Sequence, residues 1–116
     1  MPARPPRLKR RREFQRVAAR GQRVARPGVV VQALMVPEAP LRVGFTVTKK
    51  IGNAVVRNQT KRRLREAARL LLAEAPPGFE LVLIGRDATA TRPFATLLGD
   101  LRGALKQAGV PLIGTP

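Results

Sequence analysis

The sequence predicts a small α/β (α+β) two-layer sandwich with a mixed sheet, in the order α-β-β-α-β-α. Two observations carry this reading. Segments with apolar residues at helical spacing alternate with short apolar or alternating runs, and Gly/Pro breaks separate them. The chain has 116 residues, 44% of them apolar, which suits one domain with a modest core. We divide it into a flexible basic arm (1–12), a single α/β domain (13–109) and a short, fraying tail (110–116).

Pro2, Pro5 and Pro6 oppose helix in the arm, and its arginines repel one another. A first helix follows from about Arg11 to Arg20, where Phe14, Val17 and Ala18 give one apolar face and Gly21 a stop. Phe14 on that face reads equally as a core anchor or as a contact for a nucleotide base. A short extra strand near Gln22–Arg26 is left open. Val29–Val36 is an apolar strand after Pro27–Gly28. Arg42–Thr48 alternates, with Val43, Phe45 and Val47 on one face and Arg42, Gly44, Thr46 and Thr48 on the other. A loop is expected from Lys49, turning at Gly52.

The longest helix is expected from about Asn58 to Glu74, with Asn58 as its N-cap. Leu64, Ala67, Ala68, Leu71 and Ala75 form its buried face. Arg57, Lys61, Arg65 and Arg69 follow at i+4 steps beside that face, flanked by Asn58 and Arg62, while Arg63 lies off this stripe, near Glu66 and Glu74. After Pro76-Pro77-Gly78, Glu80–Arg86 reads as a central strand, because Leu81 to Ile84 are all apolar. A last helix from about Pro93 to Ala108 packs Phe94, Leu97, Leu98, Leu101 and Leu105, with Gly109 at its end.

Charge narrows the function. Lys and Arg number 23 against 7 Asp and Glu, a net +16. Residues 1–26 hold ten Lys/Arg and one acid, and residues 42–69 hold nine and one. The remainder is close to neutral. Two basic blocks of this kind point to nucleic acid, and arginines about 6 Å apart along one helix can follow a phosphate backbone. The chain has no Cys, His, Ser, Tyr or Trp. Thiol and Ser–His nucleophiles, thiolate metal sites and His-based nucleases are therefore excluded. No apolar run approaches a membrane span, and no secretory h-region follows the basic N-terminus. A free-standing metal-dependent nuclease needs converging carboxylates, and the seven acids form no dense cluster in the sequence.

The segment Arg42-Val-Gly-Phe-Thr-Val-Thr-Lys-Lys-Ile-Gly-Asn-Ala-Val-Val-Arg-Asn-Gln-Thr-Lys-Arg-Arg-Leu-Arg-Glu66 closely resembles the signature of the bacterial ribonuclease P protein family. Its centre is Arg57-Asn58-x-x-Lys61-Arg62-x-x-Arg65. Leu8-Lys9 and Phe14-Gln15-Arg16-Val17 resemble the family's first helix, and the resemblance runs over roughly residues 7 to 108. It implies the order α-β-β-β-α-β-α, like the second domain of a small-subunit ribosomal protein, with a left-handed β-α-β crossover. Sequence rules alone would give a right-handed one.

The resemblance implies a function too. The protein would bind a catalytic RNA and the 5′ leader of precursor tRNA, and Mg²⁺ held mainly by that RNA would support hydrolysis. Arg57, Asn58, Lys61, Arg62 and Arg65, with Arg69 on the same stripe, would face RNA. Phe14, Thr46, Lys49 and Lys50 would line or border the leader cleft; the roles of Phe14 and Thr46 rest on the resemblance alone. No catalytic or metal-ligating residue is expected in this chain. It would be cytoplasmic, away from membranes, and monomeric without RNA. The family often has aromatics where this chain has Ala18 and Gln32, so charge is expected to dominate the grip on the leader, with Phe14 the remaining platform. A ribosomal or ribosome-associated RNA-binding protein is the alternative.

Overall fold

The computed structural model describes residues 5–73 and 75–112. In chain order the elements are α1 (Arg11–Arg20), β1 (Gln22–Arg26), β2 (Val29–Met35), β3 (Arg42–Thr46), α2 (Ala54–Leu72), β4 (Phe79–Gly85) and α3 (Phe94–Gln107). Single 3-10 turns occupy Lys49–Ile51 and Asp87–Thr89. The segment left open at Gln22–Arg26 is a full strand. It pairs with β2 from Arg26↔Val29 to Gln22↔Ala33 across Pro27–Gly28.

The strands lie in the order β1-β2-β4-β3. β1 and β2 pair antiparallel, as do β2 and β4, whereas β3 and β4 are parallel. Parallel neighbours need a crossover, and α2 supplies it. β4 is central and covered on both sides, as its unbroken apolar run predicts. Leu81 and Leu83 join the main core with Leu64 of α2 and Leu101 and Leu105 of α3. On the opposite face Val82 meets Leu8 and Val17, flanked by Phe14, Leu34 and Ile84. One sheet thus separates an α1 side from an α2/α3 side.

Several boundaries differ from expectation. α2 begins at Ala54, and its N-cap is Asn53, whose side chain accepts from the Val56 N–H at 3.0 Å. Asn58 lies inside the helix. Gly52 sets the start: its φ of 154° ends the preceding turn, and a Cβ there would stand 3.0 Å from Val56. Val55 and Val56, expected in a loop, form the first turn. The far end is Leu72, and Glu74 lies outside the described residues.

The arm also differs where it is described. Met1–Arg4 lie outside the described residues, but Pro6 to Leu8 run beside β3. The Val43 N–H donates to the Pro6 carbonyl at 2.9 Å, and the Leu8 N–H donates to the Val43 carbonyl at 3.1 Å. Leu8 is buried. The exposed edge of β3 offers unpaired backbone groups, and this segment takes them. At the other end Val110 is buried and its N–H donates to the Leu105 carbonyl. The start of the tail is thus docked; residues 113–116 lie outside the described region.

Candidate nucleic-acid interface

α2 buries Thr60, Leu64, Ala67, Ala68 and Leu72. The basic row falls beside that face, as helical spacing predicts. Asn58, Arg62 and Arg65 are exposed, and Arg57 and Lys61 half-buried. Val55, Asn58, Gln59, Arg62 and Arg65 line an open groove of about 530 Å³. Arg62, Arg65, Glu66 and Arg69 line a second recess of about 290 Å³.

The cations of the stripe are not equivalent. Arg57 donates from Nη1 to the Gly52 carbonyl at 2.8 Å, which ties the stripe's first member to the preceding turn. Arg69 is ion-paired with Glu66, and this hydrogen bond raises the guanidinium pKa above its ordinary value. Arg63, off the stripe, caps carbonyl groups. It donates to Thr89 O at 2.7 Å and to Arg92 O, and its guanidinium lies over the Phe94 ring. It thus pairs with backbone on the α2–α3 side; Glu74 lies outside the described residues.

The residues assigned to the leader lie elsewhere. Phe14 of α1 is half-buried, with its ring on β3 at Gly44. A Cβ at Gly44 would lie 2.4 Å from that ring, so only glycine allows this seat. Thr46, two residues on, shares the face and pairs with Ile84; both are half-exposed. Lys49 and Lys50 are exposed on the 3-10 turn that leads from β3 toward α2. The structure therefore brings Phe14 and Thr46 to the α1 side of the sheet and the Arg57–Arg69 stripe to the other. The lysine pair lies in the chain segment that joins them.

A buried ionic cluster seats α1. Glu80 of β4 is only 1% exposed and accepts from both Arg16 of α1 and Arg42 of β3. Arg42 also donates to Glu13 at 2.5 Å. Glu13 in turn accepts from the Lys9 and Arg10 N–H groups at 3.0 and 2.8 Å, so the third helical residue reaches back to the N-cap and the residue before it. Those backbone hydrogen bonds, Arg10's first, hold the Glu13 carboxyl down at about 2, with Arg42 adding to the effect. For Glu80, burial pushes the pKa up, but hydrogen bonds from Arg42 and Arg16 outweigh it and the net direction is down. Arg42 is raised, mainly by its bond to Glu80.

Sequence reasoning missed this cluster. A lone Glu at the start of an apolar strand was the one signal, and its partners are 64 and 38 residues away. The basic blocks of residues 1–26 and 42–69 count Arg16 and Arg42 among their cations, and the fold pairs both with a carboxylate.

A profile of the family described as Ribonuclease P matches residues 2–109. The ribonuclease P protein component of Gluconacetobacter diazotrophicus is 60% identical over 106 residues, 90% of this chain and 91% of that protein. Its counterpart in Symbiobacterium thermophilum is 44% identical over 105 residues, again 90% of this chain and 91% of that protein. A Staphylococcus aureus RNase P protein mutant with defective mRNA degradation activity has the same fold. Its TM-score is 0.80 at 32% identity, over 90% of this chain and 89% of that one. The RNase P protein from Thermotoga maritima gives 0.75 at 30% identity, over 87% and 96%. The ribosomal alternative is not favoured by matches of this length. The chain belongs to the bacterial ribonuclease P protein family.

Proposed function

We propose that this ribonuclease P protein holds two RNA strands on opposite sides of one sheet. As the protein component of an endoribonuclease it serves tRNA 5′-leader removal. In our reading the α2 stripe binds the catalytic RNA. The α1 side, with Phe14, Thr46 and the Lys49–Lys50 turn, binds the leader of precursor tRNA. One observation carries this division: Arg62 and Arg65 are exposed on α2, whereas Arg16 and Arg42 on the α1 side are engaged by Glu80. Phosphate is met on the first side by the arginine row and on the second by the Lys49–Lys50 turn. On the second a partly open sheet strip can hold an extended single strand.

The side chains present support a division of chemistry. There is no His, Cys or Ser. Glu13, Glu80 and Asp100 are each held by an arginine, and among the described residues no three potential metal ligands converge. This donor set does not fit a resident Mg²⁺, so we assign the metal ion and the hydrolytic step to the RNA partner; a cytoplasmic location goes with the proposed tRNA-processing role. Among the described residues no helix is long and apolar enough to cross a membrane.

Reconstitution tests the proposal. The protein, a bacterial catalytic RNA and a leader-bearing precursor tRNA are combined at near-physiological salt. Stimulated cleavage at the mature 5′ end is expected only when the RNA is present. Cleavage by the protein alone would overturn the assignment.

A further inference from the structure

We infer that Arg7, far from the stripe in sequence, completes the catalytic-RNA face by forming a phosphate clasp with Arg65 across Phe45. The inference rests on the reading of α2 as that face and extends it to a second chain segment. Arg7 bridges Val43 in parallel register, so it shares the side of β3 that carries Val43 and Phe45, toward α2. Its guanidinium lies 5.3 Å from the centroid of the Phe45 ring, a cation–π distance that restrains the side chain while leaving its N–H donors available. Arg7 and Arg65 line one recess of about 50 Å³ with Phe45 and Ala68. Both are exposed.

The clasp differs from every other arginine pairing described above. Arg16 and Arg42 have Glu80, Arg69 has Glu66 and Arg92 has Asp100. Among the described residues, no carboxylate lies within ion-pair distance of Arg7 or Arg65. Two arginines that line one small recess with no carboxylate partner there favour a shared anion. Guanidinium geometry suits bidentate contact to phosphate oxygens. The backbone bonds at Pro6 and Leu8 hold the Arg7 backbone against β3. The ligand of this chemistry is a backbone phosphate of the catalytic RNA, entering where β3 and α2 meet.

The test uses the full chain and the catalytic RNA, with affinity measured across a salt series. Arg7→Met keeps the apolar stem and removes the charge. We expect a roughly five-fold weaker affinity near physiological salt and a salt slope lower by about one. Arg7→Lys should restore the slope. Arg7→Met with Arg65→Met should lose less than the product of the single losses, because both groups meet one phosphate. Lys106→Met, at the exposed end of α3, should change nothing. Two outcomes would overturn the clasp: unchanged affinity and slope in Arg7→Met, or strictly multiplicative losses in the double variant. Arg62→Ala separates this from the reading beneath it. If Arg62→Ala weakens binding and Arg7→Met does not, the clasp fails alone; if neither does, the assignment of α2 fails with it.

Discussion

Four arginines, two on each side of the sheet, are held in different ways. On the α1 side Arg16 and Arg42 surround the buried Glu80, and Glu13 closes the cluster. Two cations meet two carboxylates, so the cluster adds no net charge. On the α2 side Arg62 and Arg65 stand exposed along a groove. A count of basic residues treats these four arginines alike, yet Arg16 and Arg42 are paired with a buried carboxylate and Arg62 and Arg65 are not. Burial decides which. A carboxylate taken out of water must be paired, so the fold draws on nearby arginines to satisfy it.

The largest expected effect breaks the α1 side. Glu80→Ala leaves Arg16 and Arg42 without their shared carboxylate. Breaking a buried pair in this way costs about 3–5 kcal/mol, read as a lowered denaturation midpoint. The stripe on α2 is built by different contacts. Where the variant remains folded, leader-dependent substrate affinity should therefore fall more than affinity for the catalytic RNA.

Next, Arg62→Ala should weaken catalytic-RNA binding roughly five-fold near physiological salt and lower the salt slope by about one. Arg69→Ala should do less, because Glu66 already pairs that guanidinium. Equal losses at the two positions would mean that pairing does not set availability.

Phe14→Ala sharpens the comparison at the leader. With Ala18 and Gln32 in place of aromatics, we expect a smaller loss of leader affinity than the loss on raising salt. A large loss with a shallow salt slope would make stacking the main grip.

The smallest effect at ordinary pH is acid sensitivity. The folded Glu13 carboxyl titrates at about 2 against an ordinary value of 4.5, so its unfolded form takes up a proton first as pH falls. Its stabilising contribution is complete above about pH 4.5 and is lost toward pH 2. Glu80, shifted in the same direction, adds to the loss. Glu13→Gln should flatten acid unfolding in that window, and an unchanged profile would argue against its role at the start of α1.

Local rules made much of this legible. The i+4 row on α2, the alternation in β3 and the apolar run in β4 are patterns of near neighbours, and each appears in the fold. Non-local features were harder to read. Pro5 and Pro6 look like an unstructured arm until the open edge of β3 is present to accept them. Asn53 and Asn58 are both plausible caps by residue type, and the positive φ at Gly52 selects the first. Glu80 pairs across 64 and 38 residues, a separation no periodicity reports. The stripe was therefore readable as a row, but which of its members are tied to other groups was not.

The central claim is that the two sides serve different strands. The most direct measurement compares precursor tRNAs with and without a leader, using holoenzymes that carry Arg62→Ala or the pair Lys49→Ala and Lys50→Ala, alongside protein affinity for the catalytic RNA. Arg62→Ala should weaken catalytic-RNA binding and leave the affinity gained from the leader intact. The lysine pair should reduce that gain and leave catalytic-RNA binding near its original value. Parallel loss of both quantities in both variants would contradict the separation.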